Sequence, residues 1–254
     1  MPFSYNLAKS NTFYHRKLQN QIDKLRLPPL RQPVRTQVLL ADSKGFNLQQ
    51  QVKVNPESFI QFWCKSSATA ENRLQYLQDN LGRELNTLYN ITLYVWVGTC
   101  NLTKREGDFI YLRSRDNSAV NKLISDLKNI YHFVKQFVNQ VKLVFLQLPV
   151  YSIHEFNAYQ GYQEENSFKE DDYILKQQID AVNFYINDTN RLLHVISPKF
   201  SEDLQKPKRR KTSTTISYNI NYSLLKDGVH PDNILVKLWL IRITNLIHKD
   251  CYTL

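Results

Sequence analysis

Between Thr69 and Tyr89 the apolar residues Leu74, Leu77, Leu81, Leu85 and Leu88 recur at intervals of three and four, the spacing of an amphipathic helix. Residues 91–98, ITLYVWVG, are then apolar almost throughout, as in a strand covered on both faces. The pattern repeats. Val120, Leu123, Leu127, Ile130, Val134 and Phe137 mark a helix within residues 119–141, and KLVFLQLPV at 142–150 reads as another buried strand. Earlier strands are VRTQVLL at 34–40 and SFIQFWC at 58–64. A long helix is expected from about Lys169 to Leu192, a short strand at LHVIS, 193–197, and a closing helix over residues 231–249. Strands alternating with helices predict an α/β protein: a three-layer α/β/α arrangement around a central, mainly parallel five-stranded sheet.

Residues 12–26 suit a short helix, which Pro28, Pro29 and Pro33 must end. The division that follows is a basic N-terminal arm, 1–33, and one domain, 34–254, carrying a basic loop at about 201–216. Charge sharpens this picture. The chain's net +10 is concentrated: residues 1–35 carry seven Lys or Arg against one acid, and Lys206, Lys208, Arg209, Arg210 and Lys211 add five more. The remainder is close to neutral. Such segments suit RNA, DNA or an import receptor, or are simply solvated. Three cysteines without metal-ligand spacing indicate neither a disulfide framework nor a zinc site. No apolar stretch reaches membrane-spanning length and no signal-peptide pattern opens the chain. An intracellular protein is expected, cytoplasmic or directed to the nucleus by the 206–211 run.

In an open parallel sheet, ligands bind beyond the carboxyl ends of the strands. Those positions hold Ala41-Asp42-Ser43-Lys44-Gly45 after the first strand and Gly98-Thr99-Cys100-Asn101 after the third, while Asp227-Gly228-Val229-His230 precedes the last helix. A hydroxyl, a carboxylate and an imidazole are therefore supplied to one edge. Ser43 needs a base to attack an acyl carbon, His230 can accept its proton, and Asp227 can orient the ring. Asp42 reads as a structural residue tying its loop. Lys44 reads as solvated, or as an attraction for an anionic substrate. Tyr151, His154, Tyr159 and Tyr162 are candidates to line a pocket.

These blocks resemble the SGNH, or GDSL, hydrolase superfamily of esterases and lipases, whose sheet is flavodoxin-like. Ala41-Asp42-Ser43 matches its first block, Gly98-Thr99-Cys100-Asn101 its third, and Asp227-Gly228-Val229-His230 its last, followed by Pro231. The second-block glycine falls at Ser67. The resemblance spans roughly residues 34–250. It implies Ser43, Asp227 and His230 as a catalytic triad, an ester-type small-molecule or lipid substrate, and no cofactor or metal. It also implies an oxyanion hole formed by the Ser43 amide with groups at Ser67 and at Cys100 or Asn101. Two departures bear on that hole: serine replaces glycine at 67, and at 100 a thiol replaces the amide side chain and is a far poorer donor. Losing one such donor typically costs about 2.7–4 kcal/mol of transition-state stabilisation. A secondary resemblance, to the OSK-type RNA-binding domain of the same fold, keeps a nucleic-acid-binding module with little or no catalysis as the alternative.

Overall fold

The computed structural model describes residues 3–24, 33–52, 60–164, 167–208 and 217–252. In chain order they form α1 (Phe3–Lys24), β1 (Thr36–Ala41), α2 (Ser43–Val52), β2 (Gln61–Cys64), α3 (Ala70–Leu88), β3 (Ile91–Trp96), α4 (Thr99–Leu102), β4 (Thr103–Glu106) and β5 (Phe109–Leu112). There follow α5 (Ser118–Val134), β6 (Val141–Phe145), α6 (Ile153–Tyr159), α7 (Lys169–Leu192), α8 (Phe200–Asp203), β7 (Gln205–Lys208), β8 (Ser217–Ile220) and α9 (Asn233–Cys251).

The central sheet has the order β2-β1-β3-β6, all parallel. All six residues of β3 are buried, and so are the last five of β1, because helices cover both faces. α3, α5 and α7 pack side by side in one layer, and α1 and α2 pack on α9 in the other. Leu77, Leu81 and Leu85 turn inward from α3 as their spacing requires. Thr69 starts that helix by accepting from the Asn72 amide at 3.2 Å, while the Asn72 side chain accepts from the Thr69 amide.

Among the described residues the sheet has four strands, where five were expected. LHVIS begins as a turn after α7, with His194 at φ 54°, and forms no ladder; side chains already hold backbone groups where it would join. The Asn190 amide clamps Phe145, accepting from its N–H at 3.0 Å and donating to its carbonyl at 2.7 Å. Asn183 does the same at Leu148, at 2.7 and 2.8 Å. Ser197 Oγ takes the Gln147 N–H and Ser201 Oγ that of Val150. With these groups taken by side chains, the stretch from Phe145 to Val150 is closed to a fifth strand at those positions.

Two antiparallel hairpins, β4–β5 and β7–β8, lie outside the main sheet. Of the segment expected as a basic loop, α8 and β7 take residues up to Lys208, and 209–216 lie outside the described residues. The basic N-terminal segment is helical over Phe3–Lys24 and docks on α9: Leu18 is buried in the core, and His15 Nε2 meets Asp232 Oδ2 at 2.7 Å.

The strand order reverses between β1 and β3: the chain leaves β1 toward β2 on one side and returns to β3 on the other. A crevice opens at the carboxyl ends of those two strands, where Ser43 and Cys100 emerge.

Candidate active site

Ser43 is the first residue of α2, two residues beyond the end of β1. The position is held tightly. A Cβ on Gly45 would fall 2.3 Å from Cys64 Sγ and 2.7 Å from Ala41 Cβ, so glycine lets α2 start directly against the sheet. Asp42 is fully buried and accepts from the Lys44 amide at 3.0 Å and from Lys44 Nζ at 2.6 Å. Lys44 is thus neither solvated nor open to substrate. The residue is 2% exposed, and its ammonium also donates to Thr99 Oγ1 and lies 5.6 Å from the Trp96 ring. The buried pair ties the Ser43 turn to the α4 segment carrying Cys100.

The imidazole comes from the other end of the chain. Asp227 Oδ1 accepts from the amides of Val229 at 3.0 Å and His230 at 2.7 Å, while Oδ2 meets His230 Nδ1 at 2.6 Å. Gly228 makes this turn with φ +82°, a left-handed value, and its Cβ would strike the Phe156 nitrogen at 2.6 Å. The Gly228 carbonyl accepts from the Ser152 amide at 2.9 Å, and the Lys226 amide donates to His230 O at 2.8 Å. His230 is thereby fixed with Nε2 3.3 Å from Ser43 Oγ. Since a carboxylate only accepts, Nδ1 carries the proton and the Nε2 lone pair faces Ser43. Burial alone would push Asp227 up, but the hydrogen bonds from the His230 ring and backbone hold its carboxyl below the ordinary range.

Beside Ser43 and His230 is a cavity of about 620 Å³, a size that suits a small molecule. Ser67 and Cys100 both line it. Ser67 has φ 56°, the left-handed conformation that favours glycine, which agrees with the place assigned to it. Cys100 offers a thiol whose pKa is raised, first by burial and then by the Asp42 charge, against the opposing pull of Lys44 and Arg113. It is therefore held as a neutral thiol. Asn101 does not line the cavity: its side-chain oxygen accepts from the Ala70 amide at 2.9 Å, at the start of α3.

The aromatic loop residues fall elsewhere. Tyr151 is buried, its hydroxyl donating to Thr99 O at 3.1 Å; Tyr159 is exposed; Tyr162 packs on Phe109 and Phe168; and His154 bonds Ser167 O. The cavity walls come instead from Ile110, Phe156 and Val229, with Lys104, Arg105 and Arg113 on and beside the β4–β5 hairpin. The signal for that hairpin was present, in Gly107-Asp108 between a polar run and FIYL. Lys206 lies away from the cavity, its ammonium 4.6 Å from the Tyr14 ring. The side chain of Lys208 and residues Arg209, Arg210 and Lys211 lie outside the described residues. Among the described residues no cluster of His, Cys, Asp or Glu could hold a metal ion, and no helix is long and apolar enough to cross a membrane.

A parallel sheet of this order, with a serine after β1 and an Asp-x-x-His turn before the last helix, defines the SGNH-hydrolase fold, and the chain has that fold. It is similar over 93% of its length to a GDSL-like lipase from Bacteroides thetaiotaomicron, of which 98% is covered, with 12% identity and a TM-score of 0.58. It is similar over 85% of its length to a lipase/acylhydrolase from Enterococcus faecalis, 97% covered, with 11% identity and a TM-score of 0.52. No family model and no curated protein sequence matches the chain.

Proposed function

We propose that the protein is a serine acyl hydrolase in which Ser43 is the nucleophile, His230 the general base and Asp227 the group that orients it. The observation that carries this reading is the continuous hydrogen-bonded series Ser43–His230–Asp227, assembled from positions 187 residues apart. In the reaction, Ser43 Oγ attacks the carbonyl carbon of an ester as its proton passes to His230 Nε2. The tetrahedral intermediate collapses, the alcohol leaves with that proton, and an acyl-enzyme remains. Water, deprotonated by His230, then releases the acid and restores Ser43.

The oxyanion would be met by the Ser43 amide, a first-turn N–H that has no acceptor within its helix, and by the Ser67 amide. At the third place stands the Cys100 thiol, since Cys100 lines the cavity and Asn101 does not. The hole therefore has two strong donors and one weak one, and turnover should be slow for this chemistry.

The test is intact-mass analysis after exposure to a fluorophosphonate. Wild-type protein should gain one adduct, mapped to Ser43, which Ser43→Ala and His230→Ala both lose. Folded wild type that stays unlabelled would sink the reading.

A second reading, in which basic segments hold RNA or DNA, is favoured by one observation. Arg16, Lys17 and Lys24 share one face of α1 with Asn20 and Gln21. On this reading the chain divides into the basic segment 1–33 and the hydrolase-like domain 34–254, and the salt dependence of binding decides it.

A further inference from the structure

The cavity beside Ser43 has a one-sided charge. Among the described residues its lining contains Lys104, Arg105 and Arg113 and not one carboxylate. The nearby acid Asp42 is neutralised by its buried pair with Lys44. The rest of the wall is neutral hydroxyls, the Cys100 thiol and the apolar side chains of Ile110, Phe156 and Val229, along with His230.

The three cations are not equivalent. Lys104 is paired with Glu106 at 2.6 Å, and Arg105 with Asp108 at 3.6 Å and the Gly107 carbonyl at 2.9 Å. Their charges are partly answered within their own hairpin. Arg113 has no carboxylate partner among the described residues. Its Nη2 instead donates to Cys100 O at 2.9 Å and Thr103 O at 3.4 Å, two carbonyls of the segment that walls the cavity. Those bonds restrain the side chain at the cavity and leave the other N–H groups of a five-donor fork free for an acceptor.

The framework behind it is also fixed. The Arg113 amide donates to Leu102 O at 2.9 Å. The Asn157 side chain clamps Ile110 of β5, accepting from its N–H and donating to its carbonyl, both at 2.8 Å. A guanidinium oriented in this way, at the edge of a cavity without carboxylates, is suited to a planar or tetrahedral oxyanion.

We propose that the ester taken by this cavity carries an anionic group, a carboxylate or phosphate away from the scissile bond, and that Arg113 binds that group, with Lys104 and Arg105 adding to the field. The proposal rests on the hydrolase reading for its substrate, and Arg113 is a specificity residue within it.

The test uses full-length protein and two matched ester pairs. One places the charge in the acyl part: the 4-nitrophenyl half-ester of adipate against 4-nitrophenyl hexanoate. The other places it in the alcohol: the butyrate of 3-carboxy-4-nitrophenol against that of 4-nitrophenol. The charged member of at least one pair should show the higher kcat/KM, by about tenfold or more after correction for leaving-group reactivity. Arg113→Gln should abolish that ratio and Arg113→Lys should keep part of it. The ratio should also fall between about 0.1 M and about 1 M salt, as the screening length drops from about 10 Å to about 3 Å. Hydrolysis with no preference for charge in either pair overturns the proposal and leaves the hydrolase reading intact. If wild type cleaves none of the four esters, Ser43→Ala protein is titrated calorimetrically with the adipate half-ester. Saturable binding lost on adding Arg113→Gln would keep the anion site while the hydrolase reading falls, and no binding would overturn the anion site as well.

Discussion

Asp227 shows how much one carboxylate does here. It closes its own turn through two amides, fixes the tautomer of His230 and stabilises the imidazolium that would form on proton transfer. Asp227→Asn should keep the fold but present an amide donor to Nδ1, forcing the wrong tautomer. We expect kcat on an activated ester to fall by about 10⁴-fold, while the far-ultraviolet spectrum is unchanged. The sign of the accompanying pH effect follows from its lowered pKa. A carboxyl whose folded value lies below the ordinary value of about 3.9 contributes stability that is complete above that value and is lost as pH falls through the folded one. The stability difference between wild type and Asp227→Asn should therefore shrink on acidification below about pH 3.9, measured by urea denaturation. A difference that grows in that range would contradict the assignment. The proposed triad residues were legible in sequence because their pattern is local: Asp-Gly-x-His closes one turn, and Ser43 follows a strand. Arg113 was not legible, because an isolated arginine carries no signal until the β4–β5 hairpin places it beside Cys100.

The elements themselves were read from hydrophobic period, and the error lay at the sheet edge. LHVIS is apolar and β-branched enough for a strand, but a strand requires a partner with open hydrogen-bonding groups. Asn183 and Asn190, two polar residues on the buried side of α7, take those groups first. Nothing in the spacing of an asparagine reveals that its amide will clamp one residue of another element. Asn190→Ala would leave the Phe145 N–H and carbonyl buried without partners. We expect a loss of about 1–3 kcal/mol per orphaned group, read as a lower urea midpoint with an unchanged slope. A midpoint equal to wild type would show that water or the LHVIS backbone replaces the side chain. The hairpins escaped for a different reason: β4–β5 offered a turn at Gly107-Asp108 but little strand pattern before it. Four-residue strands such as Thr103–Glu106 bury a single residue, too few to set an alternating pattern.

At the scale of the whole molecule, charge is distributed by region. The net +10 sits largely in the N-terminal segment and the 206–211 run. α1 is docked through Leu18 and His15 while Arg16, Lys17 and Lys24 face outward. If those cations bind RNA or DNA, log affinity should fall linearly with log salt, by about 0.9 for each phosphate neutralised on a duplex. Fluorescence anisotropy of the full chain with a labelled oligonucleotide measures this. A response flat in salt would remove the electrostatic reading, and absence of binding at low salt would remove the second function altogether.

The sequence by itself determined the three-layer arrangement, the helices α3, α5, α7 and α9, the strands β1, β2, β3 and β6, and the candidate residues Ser43, Asp227 and His230. Each depends on period or on neighbours a few positions away, so the information is local. Only the tertiary structure decided the rest. It brought Ser43 within 3.3 Å of His230 across 187 positions and buried Lys44 against Asp42. It also turned the Asn101 side-chain oxygen to α3, clamped Phe145 and Leu148 with asparagines, and lined the cavity with Arg113. Those outcomes depend on which groups distant in sequence reach one another first, a competition among hydrogen-bonding partners that is decided when the layers pack.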